Sequence, residues 1–242
     1  MKKILLVFLI LSAENTFAQG DPKLTEVWQP EPRVVEPGKT SQDAPSDAII
    51  LFNGKNFNEW QTMDKKEVKW TLKNDYMMVK AGTGNIQTKK GFGDCQLHIE
   101  WRTPDSVKGE GQGRGNSGIF LMGRYELQVL DSYRNRTYSN GQAGSIYKQY
   151  MPAVNACRKP GEWQTYDIIF TAPQFNSDST LKSPARITVL QNGVLIQNNV
   201  SVWGSTEYIG IPKYQMHSNK EPIILQDHGD LVSYRNIWIR EL

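Results

Sequence analysis

Glu126 and Gln128 stand two residues apart in the run Tyr125 to Leu130, with Leu127 and Val129 at the alternate positions. Alternation with period two marks a strand, so the carboxyl and the amide share one face and the apolar pair the other. A glutamate beside a glutamine suits proton transfer and the recognition of hydroxyl groups, which a sheet buried on both faces has no use for. The stretch around it, Gly113 to Asp131 (GRGNSGIFLMGRYELQVLD), reads as a β-hairpin and adds Arg114, Asn116 and Asp131. Two other strands repeat the pattern. In Gln96 to Arg102, His98, Glu100 and Arg102 share one face and Leu97, Ile99 and Trp101 the other. For that strand alone, a solvated outer face and a ligand-facing one are equally consistent. In Ile223 to Gly229, Gln226 and His228 fall together at the end of an apolar strand, and an imidazole suits a proton shuttle. His217, in a Lys/Ser/Asn-rich loop, reads as merely exposed. Ser145-Ile146-Tyr147-Lys148 supplies a phenol and an ammonium after a Gly-rich turn.

Glu100, Arg114, Asn116, Glu126, Gln128, Asp131, Lys148, Gln226 and His228 are together more polar chemistry than packing requires. On one concave face they suit a polyhydroxylated ligand. Each sugar hydroxyl both donates and accepts, and planar side chains can bridge two neighbouring hydroxyls. The expected ligand is a carbohydrate. Of the aromatic residues, Trp60, Trp70 and Trp238 fall in or beside strands and read as packing. Tyr150, Trp203, Tyr208 and Tyr214 lie in loops, where a ring can stack on a sugar or cover the core.

The elements that must position these groups are short strands. They are read near Ile49–Phe52, Lys69–Leu72, Tyr76–Lys80, Ile86–Thr88, Asp94–Arg102, Gly118–Leu121, Tyr125–Leu130, Gln164–Thr171, Arg186–Leu190, Val194–Gln197, Ile223–Gln226 and Val232–Glu241. Asn53-Gly54, Lys73-Asn74-Asp75 and Asn192-Gly193 are turn signals between them. No window holds a helical period with caps. The pattern predicts an all-β fold, an antiparallel two-sheet sandwich of the jelly-roll type.

The chain has 242 residues. Lys2 and Lys3, the apolar run Ile4 to Leu11 and the small residues ending at Ala18 predict a signal peptide over 1–18, cleaved near Ala18. The expected location is therefore outside the cytoplasm, in the periplasm or secreted. No Cys follows that run to carry a lipid anchor, and no later stretch is apolar enough to span a membrane. Residues 19–47, rich in Pro, Glu, Gln, Lys and Ser, read as a linker or an N-terminal arm, and 48–242 as one domain. Beyond residue 18 the chain carries 26 basic and 24 acidic residues, a balance that argues against nucleic acid as a partner. Cys95 and Cys157 are read as a disulfide or as two unrelated thiols. Asp and Asn oxygens are compatible with a divalent cation, but no spacing marks a metal site and no cofactor is required by the residues.

Six motifs follow one another in order: LFNGKNFNEW, GRGNSGIFL with YELQVLDS, AGSIY, GEWQTYDIIF, LQNGV and ILQDHGDLVSYRNIWIREL. Together they resemble the 3-keto-disaccharide hydrolase domain family, over essentially all of Ala48 to Leu242. The resemblance implies a concanavalin A-like jelly roll and cleavage of glycosides already oxidised to a ketone at C3 by a partner oxidoreductase. Such a ketone acidifies the C2 proton. A base removes it, the C1 substituent leaves by elimination, and water adds back. That route needs a base, an acid and groups that stabilise the enediolate. The resemblance implies Glu126 or His228 as base, with the other of the two or Asp131 as acid. It further implies Arg114 and Gln128 at the enediolate, where Lys148 joins them on its local context, and Asn116 and Gln226 on hydroxyls. Tyr147 and Glu100 join the expected substrate-binding set.

Two other readings remain open at this point. A retaining glycosidase of the laminarinase type would carry carboxylates at alternate strand positions, where this chain has Glu126, the amide Gln128 and an off-parity Asp131. A carbohydrate-binding module would bind without cutting.

Overall fold

The computed structural model describes residues 20–242, so the signal peptide expected over 1–18 lies outside the described residues. Two compact units divide between Val34 and Val35. In the first, residues 20–34 are exposed throughout and carry one 3-10 turn, Pro22–Thr25, opened by the Asp21 side chain accepting from Lys23 N.

The second unit, Val35–Leu242, is an all-β body. Its strands begin with β1 (Ile49–Phe52), β2 (Trp60–Thr62), β3 (Thr71–Lys73), β4 (Tyr76–Met78) and β5 (Ile86–Thr88). They continue with β6 (Cys95–Arg102), β7 (Ser117–Leu121), β8 (Tyr125–Val129), β9 (Gln164–Thr171) and β10 (Gln174–Phe175). The last are β11 (Leu181–Ser183), β12 (Arg186–Gln191), β13 (Val194–Ser201), β14 (Ile224–Leu225) and β15 (Ser233–Glu241). One antiparallel sheet runs β13-β12-β9-β6-β15-β4-β3, with β1 also pairing on β15. The second runs β2-β5-β14-β7-β8, and β10 and β11 form a separate ribbon. This is the antiparallel two-sheet jelly-roll sandwich of concanavalin A type.

Alternation explains the packing. Leu97, Ile99 and Trp101 of β6 and Ile119, Leu121, Leu127 and Val129 of β7 and β8 are all buried between the sheets. Trp101 meets Tyr166 of β9 at 5.1 Å between ring centroids. Turns that need a left-handed backbone carry residues that tolerate it: Asn192 and Gly193, joining β12 to β13, have φ of 53° and 79°. Two buried tyrosines of the larger sheet reach across to the smaller one. Tyr166 Oη donates to Gln128 O at 2.8 Å, and Tyr234 Oη lies 2.7 Å from Ser117 Oγ, which donates to Gln226 O. The backbone beneath Gln128 and Gln226 is thereby tied to the opposite layer.

Residues 35–47 fold against the larger sheet. Arg240 makes a two-pronged pair with Asp47, and Gln42 O accepts from Trp238 Nε1 and Asn236 Nδ2. Cys95 and Cys157 are both free thiols. Among the described residues no helix is long and apolar enough to cross a membrane.

Candidate active site

The middle of the smaller sheet forms the floor of a cleft of about 480 Å³. Register places its side chains. Gly118 on β7 pairs with Gln128 on β8, Phe120 pairs with Glu126, and Gln226, just past β14, donates its N–H to Gly118 O. Glu126, Gln128 and Gln226 therefore share the face turned away from the core. Gly118 between them has no side chain, and that absence is required: a Cβ there would lie 2.5 Å from Glu126 Oε1 and 3.0 Å from Phe120 Cε2.

Glu126 is 5% exposed. Its N–H donates to Thr206 Oγ1 at 3.0 Å and its carbonyl accepts from Tyr147 N, so the backbone is clamped from both sides. Burial pushes its carboxyl up to about 8, so near neutral pH the group is mostly protonated and is a hydrogen-bond donor. Gln128, 1% exposed, donates from Nε2 to Gln112 Oε1 at 3.0 Å. Asn116 donates from Nδ2 to Gln112 O at 2.7 Å, while its own N–H is held by Asp230 Oδ2.

His228 lines the cleft from the turn after β14. The preceding Asp227 braces that turn, accepting from Gly229 N with Oδ1 and from Gly84 N with Oδ2. The opposite rim carries Tyr138 and Tyr147, whose hydroxyls lie 2.6 Å apart. Burial, then the bond to Tyr138, raises the Tyr147 phenol well above its ordinary range, so it stays a donor. One O–H of the pair is left for a ligand. Tyr208 completes the rim, its ring 4.3 Å from Lys148 Nζ.

The structure thus brings together Asn116, Glu126, Gln128, Tyr147, Gln226 and His228 of the sequence-derived set. Four others are outside its lining. Glu100 is on β6, in the other sheet, paired with Arg235 at 2.7 Å. Strand parity gave the face its residues share but not which way that face looks. Arg114 and Asp131 hold each other at 2.6 Å and line a neighbouring cavity with Gly229 and Asp230. Arg114 Nη2 also donates to Tyr133 O, so the guanidinium braces a loop. Lys148, at a left-handed φ of 57°, is not itself in the lining but stands against the tyrosine rim, its Nζ 4.3 Å from the Tyr208 ring and 5.8 Å from the Tyr147 ring, and donates to Tyr208 O at 2.6 Å. Gln112, Phe120, Tyr138 and Thr206 line the cleft without having been singled out from the sequence. Only Phe120 had a signal, its parity with Gly118. Among the described residues no group of three or more His, Cys, Asp or Glu side chains is arranged to hold a metal ion.

A buried protonated carboxyl, an imidazole, phenols and oriented amides around one cleft can move protons on a hydroxylated ligand. Comparisons with known proteins place the chain among carbohydrate-active relatives. The family described as the 3-keto-alpha-glucoside-1,2-lyase-like domain matches residues 47–240. A Bacteroides thetaiotaomicron protein named 3-keto-disaccharide hydrolase is 28% identical, covering 80% of this chain and 78% of its own. A crystal structure from Parabacteroides distasonis, provisionally described as a glycosyl hydrolase, superposes with a TM-score of 0.89 at 49% identity. It covers 93% of this chain and 98% of that one. A second Parabacteroides distasonis structure, with a TM-score of 0.57 at 20% identity, shares the fold.

Proposed function

Because the chain belongs to the 3-keto-alpha-glucoside-1,2-lyase-like domain family, and is by that membership a glycoside-cleaving enzyme, we propose that its cleft cleaves 3-keto-glycosides by elimination at C1 followed by addition of water. The observation that supports this most is Glu126, buried, held protonated, and set beside an amide instead of a second carboxylate. Direct displacement at C1 needs a pair of carboxyl groups at a fixed separation, one protonated as acid and one ionised as nucleophile or base, and the amide of Gln128 stands where the second would be sought. Elimination from a keto sugar needs one acid and one base.

In this reading Glu126 gives its proton to the departing glycosidic oxygen, and His228 takes the C2 proton on its imidazole. The C2–H bond breaks, its electron pair becomes the C1–C2 double bond as the C1–O bond breaks, and the alcohol leaves. Water then adds at C1 and a proton returns to C2, giving the 3-keto sugar. The uncommitted O–H of the Tyr138/Tyr147 pair donates to the C3 oxygen, where negative charge develops. Gln226 and Asn116 hold ring hydroxyls. Asp131, paired with Arg114 and outside the cleft lining, is given no part in this reading. The substrate's ketone calls for a prior oxidation at C3, so an oxidoreductase acting upstream is part of the proposal. Export, inferred from residues 1–18, is another.

The test is aglycone release from an aryl 3-keto-glucoside and from its unoxidised parent. Only the oxidised sugar should be cleaved. Glu126→Gln and His228→Ala should each lower kcat roughly a hundredfold or more. The Glu126→Gln loss should shrink for a nitrophenyl leaving group, which departs without a proton. Equal cleavage of the parent glucoside, or full turnover by both variants, would overturn the reading.

A further inference from the structure

An amide has a donor end and an acceptor end, and the end it turns to a ligand decides what it recognises. Gln112, on the 3-10 turn Gly111–Gly113, settles that choice for two cleft amides. Its Nε2 donates to Gly141 O at 2.8 Å. A backbone carbonyl can only accept, so the Gln112 Oε1 must face the other way. There it accepts from Gln128 Nε2 at 3.0 Å. The Gln128 Oε1 is thereby turned from Gln112; it is buried and has no hydrogen-bond partner among the described residues. The Gln112 backbone carbonyl accepts from Asn116 Nδ2, which commits the donor end of the second amide as well.

A buried acceptor left unmatched is costly, and a sugar hydroxyl supplies the missing proton where a ketone oxygen cannot. We propose that Gln112 is a positioning residue that makes Gln128 present its carbonyl oxygen to the substrate, so that this wall selects a ring hydroxyl and not the ketone. The proposal rests on the reading of the cleft as a 3-keto-glycoside site. It adds a specificity rule to that reading: the oxidised sugar must keep a particular hydroxyl as donor.

The test uses a C-linked 3-keto-glucoside, which cannot be cleaved, and its analogues each lacking one ring hydroxyl, with binding read by calorimetry. The native enzyme should bind at least one analogue roughly tenfold or more weakly. Gln112→Met should bring the ratio for one such analogue to about one and leave the others, because only Gln128 is then free to turn its donor end inward. Gln112→Glu should keep the ratio, since a carboxylate oxygen there still accepts from Gln128 Nε2. If Gln112→Met melts far below the native protein, Gln128→Met carries the same expectation. Equal binding of every analogue to the native enzyme, or no ratio changed in Gln112→Met, overturns the proposal. Release of alcohol from the O-linked 3-keto-glucoside is followed in the same preparations. Discrimination without release would remove the hydrolase reading alone, and absence of binding by any oxidised sugar would remove both.

Discussion

The Glu126 carboxyl sits on the floor of the cleft with no cation against it among the described residues, and burial raises it from 4.5 to about 8. This has a consequence for stability whose sign is fixed. Below about 4.5 the group is protonated in both the folded and unfolded chains, and its contribution is fully present. As pH rises toward 8 the unfolded chain ionises while the folded one does not, so stability is lost across that interval. Glu126→Gln removes the titration. The variant should therefore melt higher than the native protein near pH 8 and close to it near pH 4.5. At roughly 1.4 kcal/mol per pKa unit, the gain near pH 8 should amount to a few kcal/mol. Thermal melts at both pH values check it; an equal offset at the two would show that the carboxyl is not held protonated. A residue that stabilises when replaced and disables when replaced marks a site where packing has been given up for chemistry.

At the scale of elements, β7 and β8 decide where that carboxyl points, and Gly118 is the position that allows it. Gly118 has no left-handed backbone requirement, so its substitution is a purely steric matter. Gly118→Ala would press on Glu126 Oε1, the far end of a flexible side chain, which can move without disturbing the sheet. Stability should change by less than about 1 kcal/mol. The cost should fall on catalysis, where displacing a proton donor by about 1 Å is worth roughly a hundredfold. Comparing kcat/KM with the melting temperature of Gly118→Ala separates the two. Strand alternation made Glu126, Gln128, Gln226 and His228 legible as a polar set before any fold was known. It could not separate the cleft face from the outer face of the opposite sheet, because parity within one strand is blind to what lies beyond it. Glu100 was misplaced for that reason. Thr206, Tyr138 and Gln112 come from loops and a single 3-10 turn, which have no period to read. The strands β2, β10 and β11 are two or three residues long, and β10 and β11 have exposed or half-buried residues only, so no alternation announces them.

Across the whole sandwich, the outer face of the larger sheet carries a second cluster of polar groups whose task is structural. His98 Nδ1 lies 2.6 Å from Asp167 Oδ1, its ring stacks on Trp238 at 5.3 Å, and its Nε2 is 3.8 Å from Glu100 Oε1. Burial opposes charge on His98, but Asp167 and then Glu100 outweigh it, so its pKa is raised above 6.5. Burial likewise opposes ionisation of Glu100, yet His98, Asn236 and Arg235 hold it down at about 2. The two signs define a window. The stabilisation through His98 is complete below 6.5 and disappears as pH rises through the raised value. The stabilisation through Glu100 is complete above 4.5 and disappears as pH falls toward 2. His98→Gln should therefore cost most between 4.5 and 6.5, about 1–3 kcal/mol, which is several degrees in melting temperature. The deficit should narrow in alkaline buffer, where the native histidine is neutral as well. Turnover at 25 °C should be unaffected, because a layer of buried side chains separates this cluster from the cleft. A melting deficit independent of pH would mean that the imidazole packs without being charged, and a fall in turnover would mean that the two sheets are coupled more tightly than their separate polar faces indicate.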